Sequence, residues 1–198
     1  MNIEPSQKNL KDQLRKEIRR RRAGLESAER MSLDAAVNRY LVEHVQQARP
    51  KVVAAYLAFD GEPDLLPALA QLRDMGITLA LPVIQDQPEK PVIAFNLWSS
   101  ESVLSNNRYG ISEPLEGREI LATQIDLVMV PLVAWDESGG RLGMGASFYD
   151  RYLQPFATLA NPVRIGVGYQ MQKVDKLPME PWDIRLHGVL SETGILKC

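Results

Sequence analysis

The sequence predicts an α/β fold in which helices cover both faces of a mostly parallel sheet. Two observations predict it. Apolar runs with the length of buried strands alternate with helical patterns, and 198 residues suit one domain. Two helical patterns precede the first strand run. We therefore expect a single domain over residues 1–198, with residues 6–48 forming a helical arm packed on it.

Composition and charge exclude several classes of protein. Hydrophobic residues make up 45% of the chain and charged residues 24%, which is ordinary for a globular protein. The net charge of −2 excludes a generally basic coat for nucleic acid. Cys198 is the one cysteine, so it has no internal disulfide partner, and no run of about 18 apolar residues occurs that would span a membrane. We expect a monomeric cytoplasmic protein that does not bind membranes.

The two helical patterns at the start have recognisable ends. Ser6 can cap a helix that begins near Gln7, and apolar residues then recur every four positions until Gly24 breaks the pattern. Ser27 can start a second helix, which Pro50 ends.

Beyond these helices the pattern changes to continuous apolar runs, which are typical of strands buried on both faces. The predicted strands span residues 52–57, 77–84, 92–98, 126–130 and 164–169, with a short one at 189–190. Helices are predicted over residues 65–75 and 147–156. Ligands of open α/β sheets bind beyond the carboxyl ends of the strands, so we expect the chemistry in segments 56–62, 131–149 and 170–183.

The most informative segment runs from Pro131 to Tyr152, where a strand leads into a glycine-rich turn and then into a helix. Gly143 and Gly145 let backbone N–H groups turn towards an anion, and Arg141 adds a positive charge. Asp150 could reach a metal ion held by phosphate oxygens. The residues alone also allow a tight turn with surface charges, because neither standard nucleotide-binding pattern is complete.

The basic start of the chain offers two interpretations. Lys11 and Arg15 are four residues apart, so they project from one side of a helix and can bracket a polyphosphate, although a solvated basic face has the same pattern. The run Arg19–Arg22 could instead hold the phosphates of RNA, but it has no aromatic residues among the arginines. We therefore consider nucleic acid an improbable partner.

Single residues near the predicted strand ends are weaker candidates. Glu62 could accept hydrogen bonds from a heterocycle or cap the next helix, and Tyr109 could lie on a flat ligand or pack on the core. Asp183 follows two prolines and could be a second carboxylate near a metal ion. His187 is an isolated histidine, and we assign it no role.

Together, these segments resemble the 5-formyltetrahydrofolate cyclo-ligase family from about Lys11 to Glu192. The most specific match is the run Arg141–Gly145 with Phe148–Leu153, which follows a Pro-x-x-x-x-Asp stretch that begins at Pro131. Four further matches occur in the family's order: Lys11 with Arg15, Glu62, Gly110–Pro114, and Leu177-Pro178 with Asp183.

This resemblance implies both a fold and a reaction. The fold is a three-layer α/β/α domain related to the sugar-phosphate isomerases and CoA-transferases, with the sheet mostly parallel. In the reaction, ATP and 5-formyltetrahydrofolate give 5,10-methenyltetrahydrofolate, ADP and phosphate. ATP is a co-substrate and Mg²⁺ is required.

The resemblance also implies roles for residues of this chain. The ATP-binding residues would be Lys11, Arg15, Arg141, Leu142, Gly143, Met144, Gly145, Ala146, Ser147, Phe148 and Tyr149. The folate contacts would be Leu57, Glu62, Tyr109, Met144 and Phe148. Lys11 and Arg141 would take part in catalysis, and Asp150 and Asp183 would hold the magnesium ion.

Two residues depart from the family's usual pattern, and two other functions remain open. Ser147 stands where a third glycine is usual and Phe148 where a tyrosine is usual, so we expect no essential proton transfer at Phe148. An isomerase or CoA-transferase on a related fold is one alternative, and it would not need ATP. The other is a non-catalytic module that binds nucleotides or RNA through Arg19–Arg22.

Overall fold

The computed structural model describes residues 7–87 and 89–198. The α-helices are α1 (Gln7–Ala23), α2 (Ser27–Ala48), α3 (Leu66–Asp74) and α4 (Phe148–Leu153). Within the described ranges, no helix is both long and apolar enough to cross a membrane.

Seven strands form the central sheet, and four short ones form two separate hairpins. The sheet strands, in spatial order, are β11 (Gly194–Lys197), β10 (Gly188–Ser191), β9 (Val163–Val167), β6 (Leu127–Pro131), β1 (Val52–Ala54), β2 (Thr78–Gln85) and β3 (Val92–Trp98). The hairpins pair β4 (Leu104–Asn106) with β5 (Ser112–Pro114) and β7 (Ala134–Trp135) with β8 (Arg141–Leu142).

The five middle strands of the sheet are parallel, and the two edge strands, β3 and β11, are antiparallel to their neighbours. The side chains of a strand alternate between the two faces of a sheet. Val53 accordingly packs into the core on one face, and Val52 and Ala54 pack into the core on the other. This confirms the predicted mostly parallel sheet with both faces covered.

Three hydrophobic clusters define the layers. Helices α2 and α3 bury their apolar residues on one face of the sheet, and α4 covers the other face with Leu153 and the partly buried rings before it. Helix α1 packs elsewhere, because Leu14 and Ile18 contact the hairpin β7–β8 and Leu177. Within the predicted helical arm, α2 is therefore part of a core layer, and α1 lies beside the loops that follow the strands.

Two predicted boundaries are wrong, and one residue cannot be compared. The predicted strand 52–57 ends at Ala54: Ala55 makes one last hydrogen bond to Ala80 of β2, and Tyr56 is buried in the loop that follows. The helix expected over residues 147–156 is α-helical only to Leu153 and continues as a 3₁₀ turn that contains Pro155. Ser6, the expected cap of the first helix, lies outside the described residues.

Candidate active site

Three chain segments meet beyond the carboxyl ends of the parallel strands. The loop after β1 carries Glu62, the turn between β8 and α4 contains residues 143–147, and the long segment after β9 carries Asp183. These are the regions that the strand-end rule predicts for ligand binding. Helix α1 supplies further charged side chains to them.

At one end of the site, α1 is joined to the two loops by charged side chains. Lys11 Nζ lies 2.9 Å from Asp183 Oδ2, and both side chains are mostly buried, at 15% and 14% exposure. Arg15 donates from Nε to the carbonyl of Gly143 (2.9 Å) and pairs with Asp12 at 2.7 Å. The two cations that were predicted to bracket a polyphosphate therefore lie beside the glycine-rich turn.

A second ion pair lies close to the first. Arg141 Nη2 is 2.6 Å from Asp150 Oδ1, and the arginine side chain is only 4% exposed. The same carboxylate oxygen accepts a hydrogen bond from the backbone N–H of Ile184, directly after Asp183. The Asp150 carboxylate is thereby held against the backbone of the residue that follows Asp183, and each aspartate is paired with a cation.

The turn between these ion pairs is exposed and conformationally unusual. Residues 144–147 are exposed, and Gly145 (φ 108°) and Ser147 (φ 51°) have positive φ angles. A β-carbon added to Gly145 would lie 3.7 Å from the Arg15 guanidinium carbon. The turn thus brings its backbone within contact distance of a cation, as an anion-binding loop requires.

Asp136 fixes the start of this region. Its carboxylate accepts hydrogen bonds from the backbone N–H groups of Ser138, Gly140 and Leu177 and from the Ser138 hydroxyl. Burial raises the pKa of this carboxyl, but the hydrogen bonds outweigh burial and hold the pKa below its ordinary value. Asp136 therefore ties the hairpin β7–β8 to the segment that carries Asp183.

The other end of the site is a tight turn over residues 59–62. Asp60 (φ 52°) and Gly61 (φ 75°) both have positive φ angles, and Glu62 N–H donates to the carbonyl of Phe59. The Glu62 carboxylate folds back and accepts the Phe59 N–H at 3.1 Å. Burial raises the pKa of Glu62 to about 7, although the nearby Arg22 charge opposes the shift.

A buried hydroxyl lies within electrostatic range of Glu62. The Tyr149 hydroxyl is buried and has no hydrogen-bond partner within the described part of the chain. Burial raises the pKa of Tyr149 strongly, and the charge of Glu62 raises it further. A polar group that loses water without gaining a partner is costly, which is typical of sites that a ligand completes.

Tyr109, Phe148 and Met144, which were predicted to contact the folate, lie at the exposed edge of the site (the rim). Tyr109 meets Phe148 edge to face, with ring centroids 6.0 Å apart, and the Arg151 guanidinium lies 5.3 Å from the Phe148 ring centre. Tyr109 and Met144 are both 43% exposed. Leu57 is half-buried against the core on the α2–α3 face, in the same loop as Glu62.

The arginine run that offered an RNA interface is paired with carboxylates of the protein itself. Arg19 and Arg22 bind Asp60, while Arg20 and Arg21 bind Glu17. Phosphate binding by this run would therefore require breaking these ion pairs. His187, to which no role was assigned, is hydrogen-bonded to Arg164.

The structure brings together most of the residues that the sequence singled out, and it adds one that was missed. Lys11, Arg15, Arg141, Asp150, Asp183 and the turn 143–147 form one cluster, with Tyr109 contacting its rim at Phe148 and Glu62 near Tyr149. The missed residue is Arg22, which is fully buried. A signal was present, because Arg22 continues the four-residue spacing of Leu10, Leu14 and Ile18.

No group of three or more metal-binding side chains exists within residues 7–87 and 89–198. A protein-only metal cage is therefore absent from that part of the chain. Two carboxylates on neighbouring segments, Asp150 and Asp183, are a donor set that suits a magnesium ion taking its remaining ligands from phosphate oxygens and water.

Charged loops gathered at the strand ends of a mostly parallel sheet are the arrangement of an α/β enzyme. Comparison with known proteins specifies it further. The sequence profile of the 5-formyltetrahydrofolate cyclo-ligase family matches residues 7–192, and the chain belongs to this family. It is an enzyme of the cyclo-ligase class, and the family's reaction is an ATP-dependent cyclisation.

Individual relatives agree with this assignment. The chain is 37% identical over 182 residues to 5-formyltetrahydrofolate cyclo-ligase of Escherichia coli K12, covering 90% of this chain and 98% of the relative. It is 33% identical to the enzyme of that name from Haemophilus influenzae, covering 91% and 96% of the two chains. The solved structure of Aquifex aeolicus 5,10-methenyltetrahydrofolate synthetase superposes with a TM-score of 0.80 at 31% identity, covering 95% of this chain and 92% of that one.

Proposed function

We propose that this protein converts 5-formyltetrahydrofolate into 5,10-methenyltetrahydrofolate with ATP and Mg²⁺. The observation that carries the proposal is the cluster of Lys11, Arg15 and Arg141 around the turn 143–147, with the buried carboxyl of Glu62 nearby. The cluster suits a triphosphate, and the carboxyl suits the N–H groups of a pterin ring. Family membership supports the same reaction.

In this proposal the cations bind the phosphates of ATP. Lys11 and Arg15 would leave their present partners for phosphate oxygens, and Arg141 would stabilise the negative charge that develops on the transferred group. Backbone N–H groups over residues 142–149 would bind the remaining oxygens. The exposure of residues 144–147 supports this, because the turn needs no unfolding to meet a ligand.

The folate would occupy the end of the site that contains Glu62. An ionised Glu62 would accept hydrogen bonds from pterin N–H groups, and the apolar side chains of Leu57 and Phe148 would contact the ring. Tyr109 and Met144, each 43% exposed, would cover the ligand from the rim. The Tyr149 hydroxyl, which is buried and has no partner in the described part of the chain, supports a polar ligand at this position.

Asp150 and Asp183 would hold the magnesium ion. The carboxylates are 19% and 14% exposed, so a cation can reach them. The ion would supply positive charge to the phosphate oxygens and fix their orientation.

The reaction requires activation of the formyl group on N5, because a formamide carbon is a poor electrophile. The formyl oxygen on N5 would attack the γ-phosphorus, the bond between the γ-phosphorus and the bridging oxygen would break, and ADP would leave. N10 of the same folate would then attack the formyl carbon and lose its proton, while the carbon–oxygen bond breaks and phosphate leaves. Since the second attack is intramolecular, orientation supplies a large part of the rate.

This reaction asks the protein to position and to neutralise charge, without a covalent nucleophile. The residues around the cluster are cations, carboxylates and backbone amides, which suit that task. The activated formyl group must also be kept from water, because water attacking the formyl carbon would displace phosphate and return the starting formamide, with ATP hydrolysed to no effect. Tyr109 and Phe148 at the rim would exclude water once the folate is bound.

The direct test mixes the protein with ATP, Mg²⁺ and 5-formyltetrahydrofolate and follows the rise of methenyl absorbance in the near ultraviolet. We expect one phosphate to be released for each methenyl group formed, and no rise when ATP is omitted. Absorbance that rises equally without ATP, or ATP hydrolysis without methenyl formation, would refute the proposal.

A further inference from the structure

A buried arginine has no role in the reaction described above. The side chain of Arg22 is 0% exposed. Its Nη2 donates to Asp60 Oδ2 at 2.8 Å, its Nη1 lies 3.4 Å from the carbonyl of Leu132, and its Nε is buried without a partner among the described residues. A fully buried cation is costly, so its position calls for a reason.

The partner of Arg22 belongs to the turn that carries Glu62. Asp60 is the first of the two residues with positive φ in this turn, and Arg30 holds the second by donating to the carbonyl of Gly61 at 2.9 Å. Arg30 also donates to the backbone carbonyl of Arg22. Arg19 binds Asp60 as well, from the exposed side at 2.7 Å, so three arginines of α1 and α2 hold a backbone conformation that non-glycine residues adopt at a cost.

We infer that Arg22 is a positioning residue for folate recognition: through its ion pair with Asp60, it holds the Phe59–Glu62 turn that places the Glu62 carboxyl. The inference rests on the proposed function, because it assigns Glu62 to the N–H groups of the pterin. The class of ligand served is a flat heterocycle with adjacent N–H donors. Such a donor pair matches the two oxygens of an ionised carboxylate and not a neutral carboxylic acid.

The charges around Glu62 support this role. Burial disfavours its ionised form, and so does the neighbouring Asp60 charge. Tyr56 and Tyr149 also interact electrostatically with it, and burial raises the pKa of both hydroxyls, so both stay neutral and add no further negative charge. Arg22 lowers the pKa of Glu62 and so favours the carboxylate that the ligand needs.

The test measures the Michaelis constant for 5-formyltetrahydrofolate between pH 6 and 9, with that for ATP measured in parallel. Arg22→Met should raise the Michaelis constant for folate (the folate constant) about tenfold at pH 7. The pH at which the folate constant is halfway between its low-pH and high-pH values (the midpoint) should rise by about one pH unit, because a nearby opposite charge shifts the pKa of a carboxyl by that order. The folate constant should fall at high pH but stay above the parent value, because the turn has lost its ion pair with Arg22, and the ATP constant should stay within about twofold. Arg22→Lys, which keeps the charge, should keep the midpoint.

Two further variants identify the titrating group and control for charge. Glu62→Gln should abolish the pH dependence of the Michaelis constant for folate, so that no midpoint is observed. Arg20→Met removes an arginine from the same helix, one that is 77% exposed and paired with Glu17, and should behave like the parent.

A second variant, expected to shift the pH midpoint in the opposite direction, keeps the inference testable if Arg22→Met does not fold. Asp60→Asn removes the charge that disfavours ionised Glu62, so the midpoint should move to lower pH while the folate constant rises because the turn is released. Circular dichroism and thermal melting establish that each variant is folded.

The outcomes separate this inference from the proposed function. A parent protein that forms no methenyl product refutes the proposed function itself. An active parent whose folate midpoint is unmoved by both Arg22→Met and Asp60→Asn overturns the role of Arg22. Equal losses of ATP and folate affinity in Arg22→Met would also overturn the role of Arg22, because a residue with only a structural role would affect both ligands.

Discussion

The two ends of the site treat charge in opposite ways. At the end with the glycine-rich turn, Lys11 and Arg141 each hold a carboxylate within 3 Å, so the cations and anions are already matched. At the end with Glu62, burial raises the pKa of the carboxyl to about 7, and the Tyr149 hydroxyl has no partner among residues 7–87 and 89–198. One end is electrostatically satisfied before any ligand arrives, and the other is not.

This difference indicates two kinds of recognition. A ligand at the matched end must replace existing ion pairs, which favours a highly charged group such as a triphosphate. A ligand at the unmatched end gains by supplying hydrogen bonds that the protein lacks, which favours a polar heterocycle. The four predictions below test this contrast.

The largest effect should come from Lys11→Ala. Removing a cation that neutralises charge in the transition state should lower kcat/KM for ATP by about 10²–10³-fold. Lys16→Ala, which removes an exposed lysine of the same helix, is the matched control and should change kcat/KM by less than about twofold. Steady-state kinetics with varied ATP check both, and equal values for the two variants would separate Lys11 from the site.

Glu62→Gln should change the pH dependence of stability. The folded pKa of Glu62 is about 7 against an ordinary 4.5, so the folded protein binds the proton more tightly and loses stability as pH rises between these values. A shift of this size corresponds to roughly 3 kcal/mol as an upper bound. Glu62→Gln should therefore unfold with nearly the parent's free energy at pH 4.5 and be more stable than the parent at pH 8. Urea titrations at both pH values measure these free energies of unfolding. An equal difference between variant and parent at both pH values would show that burial does not raise the pKa of Glu62.

Asp183→Asn should weaken the dependence on magnesium. Replacing one of two carboxylate ligands should raise the Mg²⁺ concentration needed for half-maximal rate by about 10–100-fold, the range seen when metal-site residues are changed. Asp175→Asn changes an exposed aspartate of the same segment and should titrate like the parent. If the two variants require the same Mg²⁺ concentration, Asp183 is not a metal ligand.

The smallest effect concerns the glycine-rich turn itself. Ser147 has φ 51°, whereas Ala146 does not have positive φ. Ser147→Gly relieves a strained backbone, and Ala146→Gly only adds flexibility to the unfolded chain, so the first variant should be more stable than the second by about 1 kcal/mol. The denaturation midpoints of the two variants provide the comparison, and the reverse order would show that the Ser147 side chain contributes a contact that outweighs the strain.

Much of the fold is predictable because burial has a simple sequence signature. Strands covered on both faces read as continuous apolar runs, and β2, β3, β6 and β9 were predicted close to their observed positions. The same signature is wrong after Ala54, where Ala55 and Tyr56 are buried in a loop. The short hairpins were missed, because strands of two or three residues carry too few side chains to show a period.

The site divides in the same way. The glycine-rich turn and its arginine form a specific local motif, so their place in the chain was predictable, as was the placement of Lys11 and Arg15 on one helix face. The burial of Arg22 was not predicted, because a run of four arginines resembles a solvated face, although the four-residue spacing from Leu14 and Ile18 carried a signal. The raised pKa of Glu62 depends on neighbours distant in sequence, which local pattern does not reveal.

The two ion pairs at the end with the glycine-rich turn, Lys11 with Asp183 and Arg141 with Asp150, bear on whether ATP would bind alone or together with its metal ion. Free ATP that withdrew Lys11 and Arg141 would strand Asp183 and Asp150 as bare anions beside a tetra-anion. Free magnesium bound to those aspartates would release two cations with nothing to neutralise. When metal and nucleotide enter as one complex, each displaced charge finds a new partner in the same event. If ATP and Mg²⁺ bind as proposed, the two ion pairs would favour the metal–nucleotide complex over either component alone.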